Sequence, residues 1–297
     1  MTDLGHEPEA QAMIARVLAD HPLKAAAFIV TIYGDVVEPR GGVAWMGNLI
    51  ETCAGVGISE TLVRTAVSRL VSANQLHGER DGRRSYYRLS ERARFEYAAA
   101  SDVLYGGEEA TGWQFVQLTG AAPEEAMQTL ERSGHARLNA RLAVGPRRRL
   151  PGDFFTLVFD AKVVEGGESL RAFSSDYWDL APHAAAYRGF VDRFTPLKKL
   201  LSDGERLDGA FCLTARLLLV HQFRAARLRD PRLPPVALPI DWPGIAAKRL
   251  FARLYSQLSV GADLHVAGNF VTASGALPAE STVTRRRLQA LADSADD

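Results

Sequence analysis

Between Ser59 and Leu89 the chain changes its hydrophobic period, and this change restricts the fold more than any other feature of the sequence. In "SETLVRTAVSRLVSA", Val63, Ala66, Val67 and Leu70 recur at helical spacing, so one face of a helix must be buried. Ser59 stands at its start, where a hydroxyl can accept from the free amides of the first turn. After Asn74 the period becomes strand-like, and "LHGER" and "RRSYYRLS" flank Asp81-Gly82, a dipeptide favoured in tight hairpin turns. A one-striped helix followed at once by a hairpin cannot close a core alone. It needs the segments before it.

Those segments supply further helices. "LKAAAFIVTIY", Leu23 to Tyr33, is an apolar run ended by Gly34-Asp35. "VVEPRGGVAW" reads as a loop because Pro39, Gly41 and Gly42 break regular structure, and a short helix follows from about Trp45 to Cys53. Three helices and a two-stranded appendage in this order make the winged helix-turn-helix plan. Upstream, Met1 to Asp20 is acidic and Ala-rich and predicts one short amphipathic helix carrying Ala12, Ile14, Val17 and Leu18.

The fold class expected is α+β and multidomain. The first domain spans 1–104 and ends before a Gly/acidic linker, "YGGEEATG". In 111–173, "WQFVQL" reads as a strand, "PEEAMQTLERSG" as a helix, and "HARLNARLAV" and "DFFTLVFDA" as further strands, which suggests a small ferredoxin-like α/β module. The segment 174–297 reads as mostly helical, over Tyr177 to Leu201, Leu207 to Leu228 and Trp242 to Leu258, with a tail after Gly275 that is a frayed helix or disordered.

Lys+Arg and Asp+Glu both total 35, so attraction to a polyanion must come from local clustering. Such a cluster exists. From Ser59 to Arg94 eight arginines meet four acidic residues. Thr61, Arg64, Thr65 and Ser68 share the helix face opposite the apolar stripe, with Arg69 at its edge. On a recognition helix that face would lie in the major groove, where Arg can bond a guanine edge through two donors. The hairpin would project Arg83 and Arg84 toward a minor groove or flanking backbone, while Ser85 and one of the two tyrosines, Tyr86 or Tyr87, donate to phosphate. The DNA-binding candidates are therefore Ser59, Thr61, Arg64, Thr65, Ser68, Arg69, Arg83, Arg84, Ser85 and Tyr86.

Other chemistries find little support. No Gly-x-Ser-x-Gly, His-Glu-x-x-His or Gly-x-x-x-x-Gly-Lys-Ser/Thr motif occurs, so no enzyme activity and no cofactor are expected. The two cysteines, Cys53 and Cys212, lie in apolar surroundings without metal-ligand spacing and read as buried free thiols. Neither a signal peptide nor an apolar run of about 20 residues is evident, which predicts a cytoplasmic location and no membrane partner.

The motifs "TIYGD", "PRGGVAW", "GISETLVRTAVSRL" and "GRRSYYRLS", with "LLLVHQFRAARLRDPRLPPVALPIDWPG" and "LYSQL" farther on, resemble the phenylacetic-acid degradation repressor family, the PaaX-like transcriptional regulators of bacteria. Where many members carry Gly-Trp-Leu before the wing, this chain has Asn74-Gln75-Leu76. The resemblance implies a homodimeric repressor of a palindromic double-stranded DNA operator, released by an aryl-acetyl-CoA inducer such as phenylacetyl-CoA. An acyl-CoA would need cations for its phosphates and an aromatic or apolar slot, for which Trp178, His221, Arg224, Arg227 and Trp242 are the candidates. The rival reading is an acyl-CoA-binding protein or enzyme whose N-terminal domain is a protein-interaction module.

Overall fold

A computed structural model of the chain describes residues 7–19, 22–106, 112–150, 156–202 and 207–296. In chain order its helices are α1 (Glu7–Leu18), α2 (Ala25–Ile32), α3 (Met46–Ala54), α4 (Glu60–Ser72), α5 (Glu91–Tyr105), α6 (Pro123–Arg132), α7 (Leu170–Tyr177), α8 (Ala181–Ser202), α9 (Gly209–Arg227), α10 (Pro243–Asn269) and α11 (Thr282–Asp296). The strands are β1 (Val43–Trp45), β2 (Leu76–Asp81), β3 (Arg84–Leu89), β4 (Trp113–Leu118), β5 (Ala136–Arg137), β6 (Leu142–Pro146), β7 (Thr156–Ala161), β8 (Val271–Thr272) and β9 (Gly275–Ala276). They build an α+β molecule with a helical C-terminal region.

The chain forms two compact units, each discontinuous in sequence. One contains Met1–Gly107, Gly189–Arg224 and Ala247–Asp297, and the other Glu108–Arg188 and Ala225–Ala246. The segment 174–297 is thus divided between the two units, where the composition suggested one consecutive helical domain. Most of the expected linker after Gly106 lies outside the described residues.

In the first unit α2, α3 and α4 stand beside an antiparallel sheet of order β1-β3-β2. The stripe of α4 is buried as its spacing requires, with Val63 at 0% exposure and Val67 at 1%. Asn74 adopts φ 53°, a left-handed position that asparagine tolerates better than most residues, and Gln75 N donates back to Leu70 O at 2.9 Å. Four expectations are corrected here. Ser59 occupies the N-cap position of α4 with extended backbone, but its side chain makes no cap hydrogen bond; Ser90 is the residue that caps, accepting from Ala93 N at the start of α5. The stretch taken as a loop contains β1, whose Trp45 pairs with Tyr86, so the hairpin is two strands of a three-stranded sheet. Three residues are too few to show a period. The hairpin turn is Gly82-Arg83, one residue beyond the expected Asp81-Gly82, because Asp81 pairs with Arg84. Gly82 has φ 56°, and glycine reaches that region without steric cost.

The fourth concerns the tail, which is the helix of the two expected alternatives but is packed and not frayed. After a short β8–β9 hairpin, Ser281 caps α11 by accepting from Thr284 N at 3.1 Å, and α11 buries Arg287 and Leu291. The helices α8, α9 and α10 contribute Phe190, Phe194, Phe223, Phe251 and Tyr255 to one aromatic cluster, in which Phe223 and Phe251 stack with centroids 4.2 Å apart. Cys53 and Cys212 are both buried and free, and burial pushes their thiols up to about 12 and about 11.

The second unit carries an antiparallel sheet of order β5-β6-β4-β7, with α6 packed on it through Met127 and Leu130 against Val116 and Ala143. The stretch expected as one strand, "HARLNARLAV", is two, because the Asn139 carboxamide oxygen accepts from the amides of Arg141 and Leu142 and bends the chain. Residues 151–155 lie outside the described residues, and β7 begins at Thr156. Along β7, Leu157, Val158 and Phe159 are each about half exposed, at 55%, 50% and 53%.

Candidate nucleic-acid interface

Because Val63, Ala66, Val67 and Leu70 hold α4 by one side, its other side is presented outward. Thr61, Arg64, Thr65, Ser68 and Arg69 are all exposed, as is Ser59 at the helix start. Two of them have local partners. Arg64 Nη2 lies 2.7 Å from Glu60 Oε1, one turn earlier, and the Thr65 hydroxyl donates to Thr61 O at 2.8 Å. The Glu60 carboxylate, one of the four acidic residues counted against the eight arginines, lowers the net charge of this face. An exposed ion pair of this kind contributes about 0.5 kcal/mol or less, so exchanging it for a phosphate or a base edge costs little.

The hairpin presents a second set of cations. Arg83 sits in the turn and is exposed. Arg84, on the first residue of β3, places its guanidinium 4.9 Å from the centroid of the Trp45 ring. That indole also lies close over Gly47, where an added Cβ would meet ring carbons at 2.4–2.6 Å. The ring is therefore held from below by a residue that must be small, and Arg84 is aligned above it. Ser85 is half-buried. Tyr86 is 6% exposed, which corrects its expected role: it is the core-facing tyrosine of the pair, since neighbours on a strand point to opposite sides. Tyr87 lies across Gly78 of the paired strand, and its carbonyl accepts from Tyr33 Oη at 3.0 Å.

Behind this surface lies a buried cluster that sequence reasoning missed. Asp35 is 0% exposed and accepts from Arg216 Nε at 2.9 Å, from Tyr255 Oη at 2.8 Å and from Tyr105 Oη and Arg287 Nη1 at 3.3 Å. Arg216 also reaches Asp263 at 2.6 Å, and Asp263 accepts from Arg40 at 2.6 Å. The Arg287 guanidinium stacks 3.7 Å from the Tyr105 centroid. Burial would raise the Asp35 carboxyl, but Arg216 and Arg287 outweigh it and hold the group below its ordinary value. Burial likewise works against the Arg216 charge, and Asp35, Tyr255 and Asp263 keep its guanidinium above the ordinary arginine value. A signal was present in "CLTARLLLV", where one arginine stands inside an apolar run: an unpaired cation cannot be buried there.

The five ligand candidates are divided between the two units. In the first, His221 Nδ1 shares a hydrogen bond of 2.9 Å with Thr31 Oγ1, and burial pulls its imidazole down to about 4. Arg224, one turn later, donates to Ala27 O at 3.1 Å. In the second, Trp178 donates to Gly134 O at 3.0 Å, Trp242 is buried with its ring 6.0 Å from Tyr187, and Arg227 lies 3.5 Å from Asp230. These three have structural partners within their own unit.

Comparison with known proteins identifies the family. The family model for the PaaX-like protein matches residues 24–93, and that for the PaaX-like protein C-terminal domain matches 178–268. The chain is 29% identical over 290 residues to a protein of Escherichia coli (strain K12) named transcriptional repressor PaaX, covering 91% of this chain and 92% of that one. Among solved structures it is similar to the uncharacterized protein Rv0674 from Mycobacterium tuberculosis, with a TM-score of 0.48 and 21% identity over 86% of this chain and 97% of that one. The two family matches enclose α2 to the start of α5 on one side and most of α8 to α10 on the other, and the chain belongs to the PaaX-like family.

Proposed function

We propose that this protein is a bacterial transcriptional repressor of the phenylacetate pathway that binds a palindromic operator as a homodimer through a winged helix-turn-helix, and that an aryl-acetyl-CoA inducer such as phenylacetyl-CoA releases it. The observation that carries the reading is the outward face of α4, where Arg64, Thr65, Ser68 and Arg69 are exposed beside the Gly82-Arg83 tip while the opposite stripe is sealed. A helix held this way can enter a major groove without losing its core contacts. In this reading Arg64 and Arg69 meet base edges, Thr61, Thr65, Ser68 and Ser59 meet bases or phosphates, and Arg83, Arg84 and Ser85 hold the flanking backbone.

The middle module, read as ferredoxin-like without its second helix, serves dimerisation. Its support is β7, an edge strand among the described residues whose side chains are half exposed on both faces. Such an edge is self-complementary: two copies related by a two-fold axis can pair antiparallel. Phe159→Lys is expected to shift the chain to monomers in sedimentation and to weaken operator binding; a dimer unaffected by it removes β7 from the interface.

Fluorescence titration with an operator-length duplex from the gene's own upstream region, at two salt concentrations, tests the main reading. A log-log salt slope of several units with preference over random duplex is expected. No binding at low salt would instead favour an acyl-CoA-binding protein with a protein-interaction module.

A further inference from the structure

Within the first unit a mostly apolar cavity of about 150 Å3 lies between α2, α5 and α9. Its walls are Val30 of α2, Ala100 and Leu104 of α5, Val220 of α9 and the rings of Tyr97 and Tyr105. A mostly apolar cavity of about this volume has room for one benzene ring. The polar lining is Thr31, Gln75, Glu96, Ser101, the two tyrosines and Arg224, and Arg224 is the one cation among them.

Arg224 lines the cavity from α9, and its Nη2 donates to Ala27 O at 3.1 Å. Among the described residues no carboxylate pairs with it, unlike Arg40, Arg216 and Arg287 in the same unit. Burial, the largest influence, pulls it below the ordinary arginine value, as expected of a half-buried cation without a counter-charge. Guanidinium has five donors, and an oxygen of a bound molecule would satisfy those the Ala27 carbonyl leaves. Thr31, also on the wall, is already committed to Ala27 O and His221, and the Glu96 carboxylate pairs with Arg92, so Arg224 is the one wall group whose charge suits an anion.

We infer that this cavity binds a ring-sized apolar group ending in a carboxylate or a thioester carbonyl, with Arg224 as its polar anchor. The walls make such an occupant consequential. Val30 belongs to α2, which packs on α4, and Tyr97 and Tyr105 bond to Arg287 and Asp35 of the buried cluster. A ligand that favours one arrangement of α2 and α5 therefore biases the helix that carries Arg64. Binding stands on the cavity alone; its effect on DNA rests on the inducer reading above.

The test is calorimetric titration of the full chain with phenylacetate and, separately, with phenylacetyl-CoA. Wild type is compared with Ala100→Phe, which fills the cavity, and Arg224→Gln, which removes the anchor, each first shown to melt cooperatively. At least one compound is expected to bind one per chain, with both variants weakened about tenfold or more. No binding by wild type, or equal affinity in all three proteins, overturns the site. Release of a DNA duplex is read in parallel and separates the two claims. Release by the thioester from all three proteins overturns the site and leaves the inducer reading standing, whereas cavity binding without release overturns the inducer reading and leaves the site.

Discussion

The outward face of α4 with its hairpin and the cluster around Asp35 belong to the same compact unit and use the same residue, arginine, to opposite ends. Arg64 is 57% exposed and shares one water-washed ion pair with Glu60, so its charge is available to a partner. Arg216 and Arg287 have side chains 1% and 2% exposed, and Asp35, Asp263, Tyr255 and Tyr97 take most of their donors, Arg216 Nη2 being left without a partner among the described residues. The first set is tolerated because water solvates it; the second because carboxylates and phenols replace that water. Composition counts all of these arginines alike. Their environments decide which are open to a partner and which are bound up within the fold.

Breaking the buried set has the largest expected effect. Asp35→Ala leaves Arg216 and Arg287 without their shared carboxylate and should cost about 3–5 kcal/mol of stability in urea denaturation. A loss below about 1 kcal/mol would mean water enters the cluster and the contrast is false.

Acid should distinguish the sets next. Asp35 has a folded-state value below its unfolded one, so its contribution is present above the unfolded value near 4 and is lost as pH falls through the lower folded one. His135 and His221 are held down from 6.5 to about 4 by burial, so the unfolded chain binds more protons between those values and stability declines across that window on acidification. Denaturation midpoints measured from pH 7 to pH 3 should fall in two stages. In Asp35→Asn the later stage, below about pH 4, should flatten.

For the exposed set, Arg64→Ala should weaken operator binding by about 1–3 kcal/mol and relax sequence choice, while changing stability by less than about 0.5 kcal/mol. Equal losses on operator and random duplex would reassign Arg64 to phosphate. The smallest change belongs to the turn: Arg83→Ala should weaken all duplexes alike and reduce the salt slope by about one. A sequence-dependent loss there would give the hairpin tip a reading role.

Much of the N-terminal half was legible residue by residue. The stripe of α4, the hairpin and the burial of one of its two tyrosines follow from periods of 3.6 and 2. The position of the turn did not, because Asp81-Gly82 and Gly82-Arg83 are both plausible turn pairs and pairing with β3 selects between them. The packing of α11 was hidden by its composition: "TRRRLQALADSADD" reads as solvated, yet one of its three consecutive arginines, Arg287, is buried. The ligand candidates His221 and Arg224 were found on helix spacing, whereas the walls that make Arg224 notable come from α2 and α5, far off in sequence.

The sequence by itself determined which segments bury a face, where a polar, arginine-bearing face is left over, and that a hairpin must follow it, since each depends on neighbours within a few turns of chain. Only the tertiary structure decided that Asp35 meets Arg216 and Arg287, partners 181 and 252 residues away, and that the C-terminal segment is divided between two units. The physical reason is that period and turn chemistry are local, whereas desolvation depends on every atom that closes around a charge, and those atoms come together only when the chain folds.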